Sequence, residues 1–123
     1  MTARRFESGN AYVDGVPHRD WLVGHFVEDD ESLIRKTADV EIKWGRHHAG
    51  ETRTEWVRGE VRTCIVLLVA GRFRITFSDA PEDAVVLAEQ GDYAIWGPNV
   101  DHRWSAEADS VVITVRWPSL PTR

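Results

Sequence analysis

Apolar residues recur along this chain with a period near two, in short runs broken by Gly, Pro, Asp and Asn. That is the pattern of β-strands separated by turns. Residues 40–44, Val-Glu-Ile-Lys-Trp, alternate apolar and charged, as a half-buried strand does. Residues 63–70 are apolar on both parities and predict a central strand, stopped by Gly71. In 72–77 the alternation is clean: Phe73, Ile75 and Phe77 face a core, while Arg72 and Arg74 face water. A turn at 78–83 follows, then strands at 85–87, 93–96, 102–104 and 111–117. Another strand is expected at 21–27. No segment of useful length has a helical period; residues 28–36 are mostly charged and read as a solvated loop or one helical turn. The tail 118–123 has two prolines and is expected to fray. Short strands at this spacing predict an all-β sandwich or barrel.

Composition narrows the class. At 123 residues the chain is one domain by length, with N-terminal strands expected within 6–27. The net charge is −5 and there is no basic stripe, which argues against a nucleic-acid partner. Cys64 is the one cysteine, so no intrachain disulfide can form. The N-terminus lacks the apolar run of a signal peptide, and the longest apolar run is too short to span a bilayer. A soluble, cytoplasmic protein with no membrane partner is expected.

The stretch Gly91-Asp92-Tyr93-Ala94-Ile95-Trp96-Gly97-Pro98-Asn99-Val100-Asp101-His102 carries a family signal. It resembles the second signature motif of the cupins: Gly-Asp, an apolar strand, a Pro-containing turn, then His. Asn99 stands where relatives often have Gly, and Asn tolerates the left-handed backbone better than most residues. The resemblance spans about 40–117. It implies a cupin-type jelly-roll β-barrel holding a small molecule in its mouth, and a homodimer paired through sheet edges. Many cupins hold one divalent metal with three His and one Glu. Aligned on Gly50 and Gly71, the matching positions here are Trp56, Arg58, Cys64 and His102. Only His102 is a standard ligand there; Arg58 would repel a cation, and Cys64 in an apolar strand reads as core filler.

Three functional readings follow. The leading one is a cupin-fold small-molecule-binding protein of undefined activity with a degenerate metal site. Its pocket residues would be His102, Trp104, Trp56, Arg58, Cys64 and His48, with Trp faces stacking on the ligand and Arg58 clamping a carboxylate or phosphate. The second is a metal-dependent oxygenase or isomerase, in which His102, His48 and a Glu hold Zn, Fe, Mn or Ni. In that reading His48 shares the core-facing parity of Trp44. The third is a metal-independent lyase or isomerase with His102 as acid–base, beside Tyr93 or a Glu. His25 reads as a hydrogen-bonded structural residue.

Overall fold

The alternating runs form the strands their period predicts, and these assemble into two antiparallel sheets packed face to face. The computed structural model describes residues 6–28, 32 and 34–121. The strands are β1 (Trp21–Val23), β2 (Glu41–His47), β3 (Thr63–Ala70), β4 (Phe73–Phe77), β5 (Val85–Leu87), β6 (Tyr93–Trp96), β7 (His102–Ala106) and β8 (Ser110–Trp117). The larger sheet has the order β1-β2-β8-β3-β6, and the smaller β5-β4-β7. As the double-parity pattern predicts, β3 is central, between β8 and β6. Phe73 and Ile75 are buried, while Arg72 and Arg74 lie outside and share Glu107.

The expected closed jelly-roll barrel is not what forms. No ladder joins an edge of the larger sheet to an edge of the smaller, so the sheets stay open. The physical reason lies at the free edge of β7. The irregular segment between β2 and β3 occupies its hydrogen-bonding groups: Arg53 N donates to Trp104 O (2.8 Å), Val57 N to His102 O (2.7 Å), and Gly50 N to Ala106 O (2.9 Å). An edge satisfied by a loop is not available to a closing strand.

Other differences are local. Of the expected strand at 21–27 only Trp21–Val23 is regular, and the segment before it holds a four-residue helix, α1 (Ala11–Asp14), capped by Asn10. The charged segment 28–36 falls partly outside the described residues, as do 122 and 123 of the tail. The described part of the tail is anchored: Ser119 N donates to Ala38 O (2.9 Å), and its hydroxyl is buried against Glu41. Asn99 does adopt the left-handed backbone, with φ 65°.

The chain passes from one sheet to the other at Gly71, whose φ is +100°. A Cβ there would lie 2.3 Å from the Asp109 backbone oxygen. Gly71→Ala is therefore expected to cost about 2 kcal/mol or more, from backbone strain and steric conflict together. Urea denaturation measures it; an unchanged midpoint would contradict this close approach.

Candidate functional site

Registers across the larger sheet put inward-facing residues in rows. Glu41, Arg116, Cys64 and Trp96 are successive cross-strand partners in one row, and Lys43, Thr114, Val66 and Ala94 in the next. The smaller sheet answers with Phe73, Ile75, His102 and Trp104. Between the sheets lies a cavity of about 450 Å³, within the size range of small-molecule sites.

Its aromatic wall is well packed. Trp104 stacks on Phe73 (5.3 Å between centroids, 23°) and meets His47 at 4.6 Å. Trp96 meets His102 at 4.6 Å. The Trp96 indole N–H is buried and has no partner among the described residues, an unusual state for a buried donor and one that a ligand acceptor would relieve.

Charge distinguishes the cavity from the rest of the molecule. Arg19, Lys43, Arg53, Arg62 and Arg116 line it, with Glu60 as the one acidic lining residue among those described. Arg62 and Arg116 are spoken for. Arg62 grips Glu60 through Nε and Nη2, each at 2.7 Å, and reaches Glu41 through Nη1 at 2.8 Å. Arg116 Nη2 lies 2.7 Å from Glu41, and Ser119 Oγ donates to the other Glu41 oxygen at 2.8 Å. Since Ser119 gives its proton to Glu41, His25 Nδ1, at 2.7 Å from Ser119 Oγ, must be the donor to it. Glu41 and Glu60 are 1% and 3% exposed, so this cluster is a buried network of two acids and two bases. Burial pushes the Glu60 carboxyl up, but hydrogen bonds from Arg62 and the charges of Arg62 and Arg116 outweigh it and hold the pKa at about 2.

Arg19, Lys43 and Arg53 are different: none makes an ion pair with a described carboxylate. Burial lowers the pKa of Lys43; Asp20 opposes this, while Arg116 and Arg53 add to it. The crowding of cations is thus felt at the Lys43 amine.

Two imidazoles face the same space from opposite sheets. His102 Nδ1 lies 3.0 Å from Val100 O, and a carbonyl only accepts, so Nδ1 carries the proton and Nε2 holds a lone pair. Burial lowers the His102 pKa, Arg53 adding and Val100 and Glu60 opposing. Burial likewise lowers that of His47, with Lys43 adding and Glu51 opposing. Both rings are therefore neutral near pH 7.

The structure gathers three of the sequence-derived pocket residues, His102, Trp104 and Cys64, at this cavity. It places the other three elsewhere. Trp56 packs under the Arg103 guanidinium at 4.4 Å, outside the cavity lining. Arg58 is 72% exposed and pairs with Asp101 at 3.8 Å. His48 is exposed, its backbone N–H donating to Glu51. The parity assumed for β2 is inverted. Trp44 faces outward against Tyr12 of α1 at 5.9 Å, so Lys43 and His47 face inward. Tyr93 is 59% exposed and so is no partner for His102. His47, Lys43, Arg53, Arg19 and Trp96 are the lining residues that sequence reasoning missed. The alternation of β2 pointed to one member of the 47–48 pair, and only the pairing of β2 with β8 fixes which.

The donor set does not suit the divalent metal that the cupin resemblance implies. Among the described residues no three His, Cys, Asp or Glu side chains gather as ligands. Burial, then the nearby Glu60 charge, pushes the Cys64 thiol up to about 11, so it stays protonated. Glu60 has both oxygens committed to Arg62. Arg53, Lys43 and Arg116 would add charge repulsion to any cation there.

No family model matches the chain, and no curated protein matches it. Solved structures do. KdgF from a Halomonas species is 24% identical, with TM-score 0.57 over 67% of this chain and 72% of that one. A cupin superfamily protein from Desulfitobacterium hafniense is 16% identical, with TM-score 0.56 over 64% and 67%. Salicylate 1,2-dioxygenase from Pseudoaminobacter salicylatoxidans is 17% identical, with TM-score 0.56 over 66% of this chain and 22% of that one. These likenesses show the fold: two packed antiparallel sheets of the cupin kind.

Two outcomes are expected. Protein purified without chelator should carry well under one equivalent of metal per chain by elemental analysis, with His102→Ala no different; near-stoichiometric metal lost in that variant would overturn the donor-set argument. The second concerns pH. His47 and His102 bind protons less readily folded than unfolded, so their contribution to stability is full above the free-imidazole value of about 6.5 and falls as pH drops below it. Glu60 begins to lose its contribution only below about 4.5, on the way to its folded value of about 2. Melting temperature should therefore fall between pH 7 and pH 5, and the fall should shrink in a His47→Gln, His102→Gln double variant.

Proposed function

We propose that this cupin-type small-molecule-binding fold takes a small organic anion, with a ring against Trp104 and Phe73 and a carboxylate among Lys43, Arg53 and Arg19. The observation that carries this reading is the set of three lining cations without a described carboxylate partner, in a protein whose net charge is −5. Cations drawn together against the overall charge create a local field that an anion relieves. The unpartnered Trp96 N–H supplies a further donor. Benzoate, a ring bearing one carboxylate, serves as the probe. Calorimetric titration should show binding that weakens with added salt and drops about tenfold in Arg53→Ala, as loss of one charged contact does. Equal affinity for benzyl alcohol, which has the ring without the charge, would count against the anion.

A second reading has its own support: a metal-independent lyase or isomerase. His102 presents a lone pair at Nε2 with its tautomer fixed by Val100, and His47 is a second neutral imidazole across the cavity. A clamped carboxylate beside a neutral base suits proton abstraction from the adjacent carbon. Nitrogen NMR should find His102 as the Nδ1–H tautomer at pH 7, titrating below 6.5. An imidazolium at pH 7 would remove the base.

Homodimerisation is proposed at β6. The outer face of the larger sheet carries two apolar rows, Ile42-Val115-Ile65-Ile95 and Trp44-Ile113-Leu67-Tyr93, where an exposed sheet face is normally polar. Both rows end at β6, an edge strand on which Tyr93 and Ile95 are 59% and 52% exposed. A second copy paired antiparallel about a two-fold axis there continues both rows. Light scattering should give a dimer, converted to monomer by Ile95→Lys; a wild-type monomer would refute it.

A further inference from the structure

A second cavity, of about 550 Å³, adjoins the first. The two share Arg19, Trp21, Arg62 and Arg116. These four side chains line both spaces, so the two cavities meet at them. The outer space has its own aromatic wall. Phe26 lies 5.3 Å from His18, 5.4 Å from His25 and 6.5 Å from Trp21, centroid to centroid. The ring of Phe26 is seated where a side chain at Gly24 would be, since a Cβ there would meet it at 2.3 Å. Leu120 and Pro121, next to the anchored Ser119, also line it.

Where the cavities meet, cations and an aromatic ring lie together. Arg116 lies 4.0 Å from the Trp21 ring centroid and Lys43 5.7 Å from it, so one indole is flanked by two cations. Arg19, held in the left-handed backbone at φ 56°, lines both spaces and has no ion-pair partner among the described carboxylates. On the outer side, His25 Nδ1 donates to Ser119 Oγ.

We infer that the two cavities are compartments of one binding tract, whose occupant is a carboxylate with two linked rings. The inner compartment takes the ring that bears the anionic group, beside Lys43 and Arg53. The outer compartment takes the second ring, against Phe26 and Trp21. Both volumes lie within the range of small-molecule sites, so the joined cavities have room for a ligand of two rings. This rests on the anion-binding reading above, which needs only the inner compartment.

The test compares benzoate with biphenyl-4-carboxylate by calorimetric titration. Biphenyl-4-carboxylate should bind at least about tenfold more tightly, because the second ring leaves water. Phe26→Ala should erase that preference while leaving benzoate affinity unchanged, whereas Arg53→Ala should weaken both. Leu120→Ala, at another lining residue, serves as a second variant should Phe26→Ala fail to fold, and should reduce the preference in the same way. Benzoate binding with no gain for the biphenyl acid overturns the two-compartment tract and leaves the anion site standing. A gain that survives both outer variants also overturns it. Failure of both acids to bind overturns the anion site and the tract with it.

Discussion

The buried carboxylate of Glu41 is the constraint on which the rest of the site depends. It sits on β2 and draws in Arg116 from β8, Arg62 from the approach to β3, and Ser119 from the C-terminal segment. Removing a carboxylate from water is costly, and the cost is met only when every oxygen is occupied. Glu41 satisfies this with two guanidinium groups and a hydroxyl, and Glu60 takes the remaining donors of Arg62. Distant parts of the chain are thereby held to one another at a single point.

This arrangement also shapes the cavity's electrostatics. Two arginines and two glutamates cancel within the network, which sets the potential of the cavity by what remains. Arg19, Lys43 and Arg53 remain, from three separate segments, and no described acid pairs with them. The network and these three cations line the same cavity. Neutral imidazoles persist beside them because burial and neighbouring positive charge both disfavour a further proton.

The openness of the sandwich follows from the same economy of hydrogen bonds. The segment between β2 and β3 gives its amides to the edge of β7, which brings Arg53 and Val57 to the cavity and keeps that edge from a closing strand. A loop in place of a strand makes the mouth from irregular backbone, the kind of backbone on which binding residues are commonly carried.

Period-two alternation determined by itself where most strands lie and which face of β4 is buried, because side chains on a strand alternate whatever the partner. The Gly-Asp to His stretch determined its turn, including the left-handed Asn99, since that geometry is local. The family likeness pointed to His102, which lines the cavity, and to Trp56 and Arg58, which do not. The parity of β2 was decided only by its register against β8 and by the cover of α1 on Trp44; a one-residue change of face exchanges His48 for His47. The anchoring of the tail, the edge taken by the loop, and the gathering of Arg19, Lys43 and Arg53 were tertiary outcomes as well. They join residues far apart in sequence, and no local pattern records which distant charges will share a space.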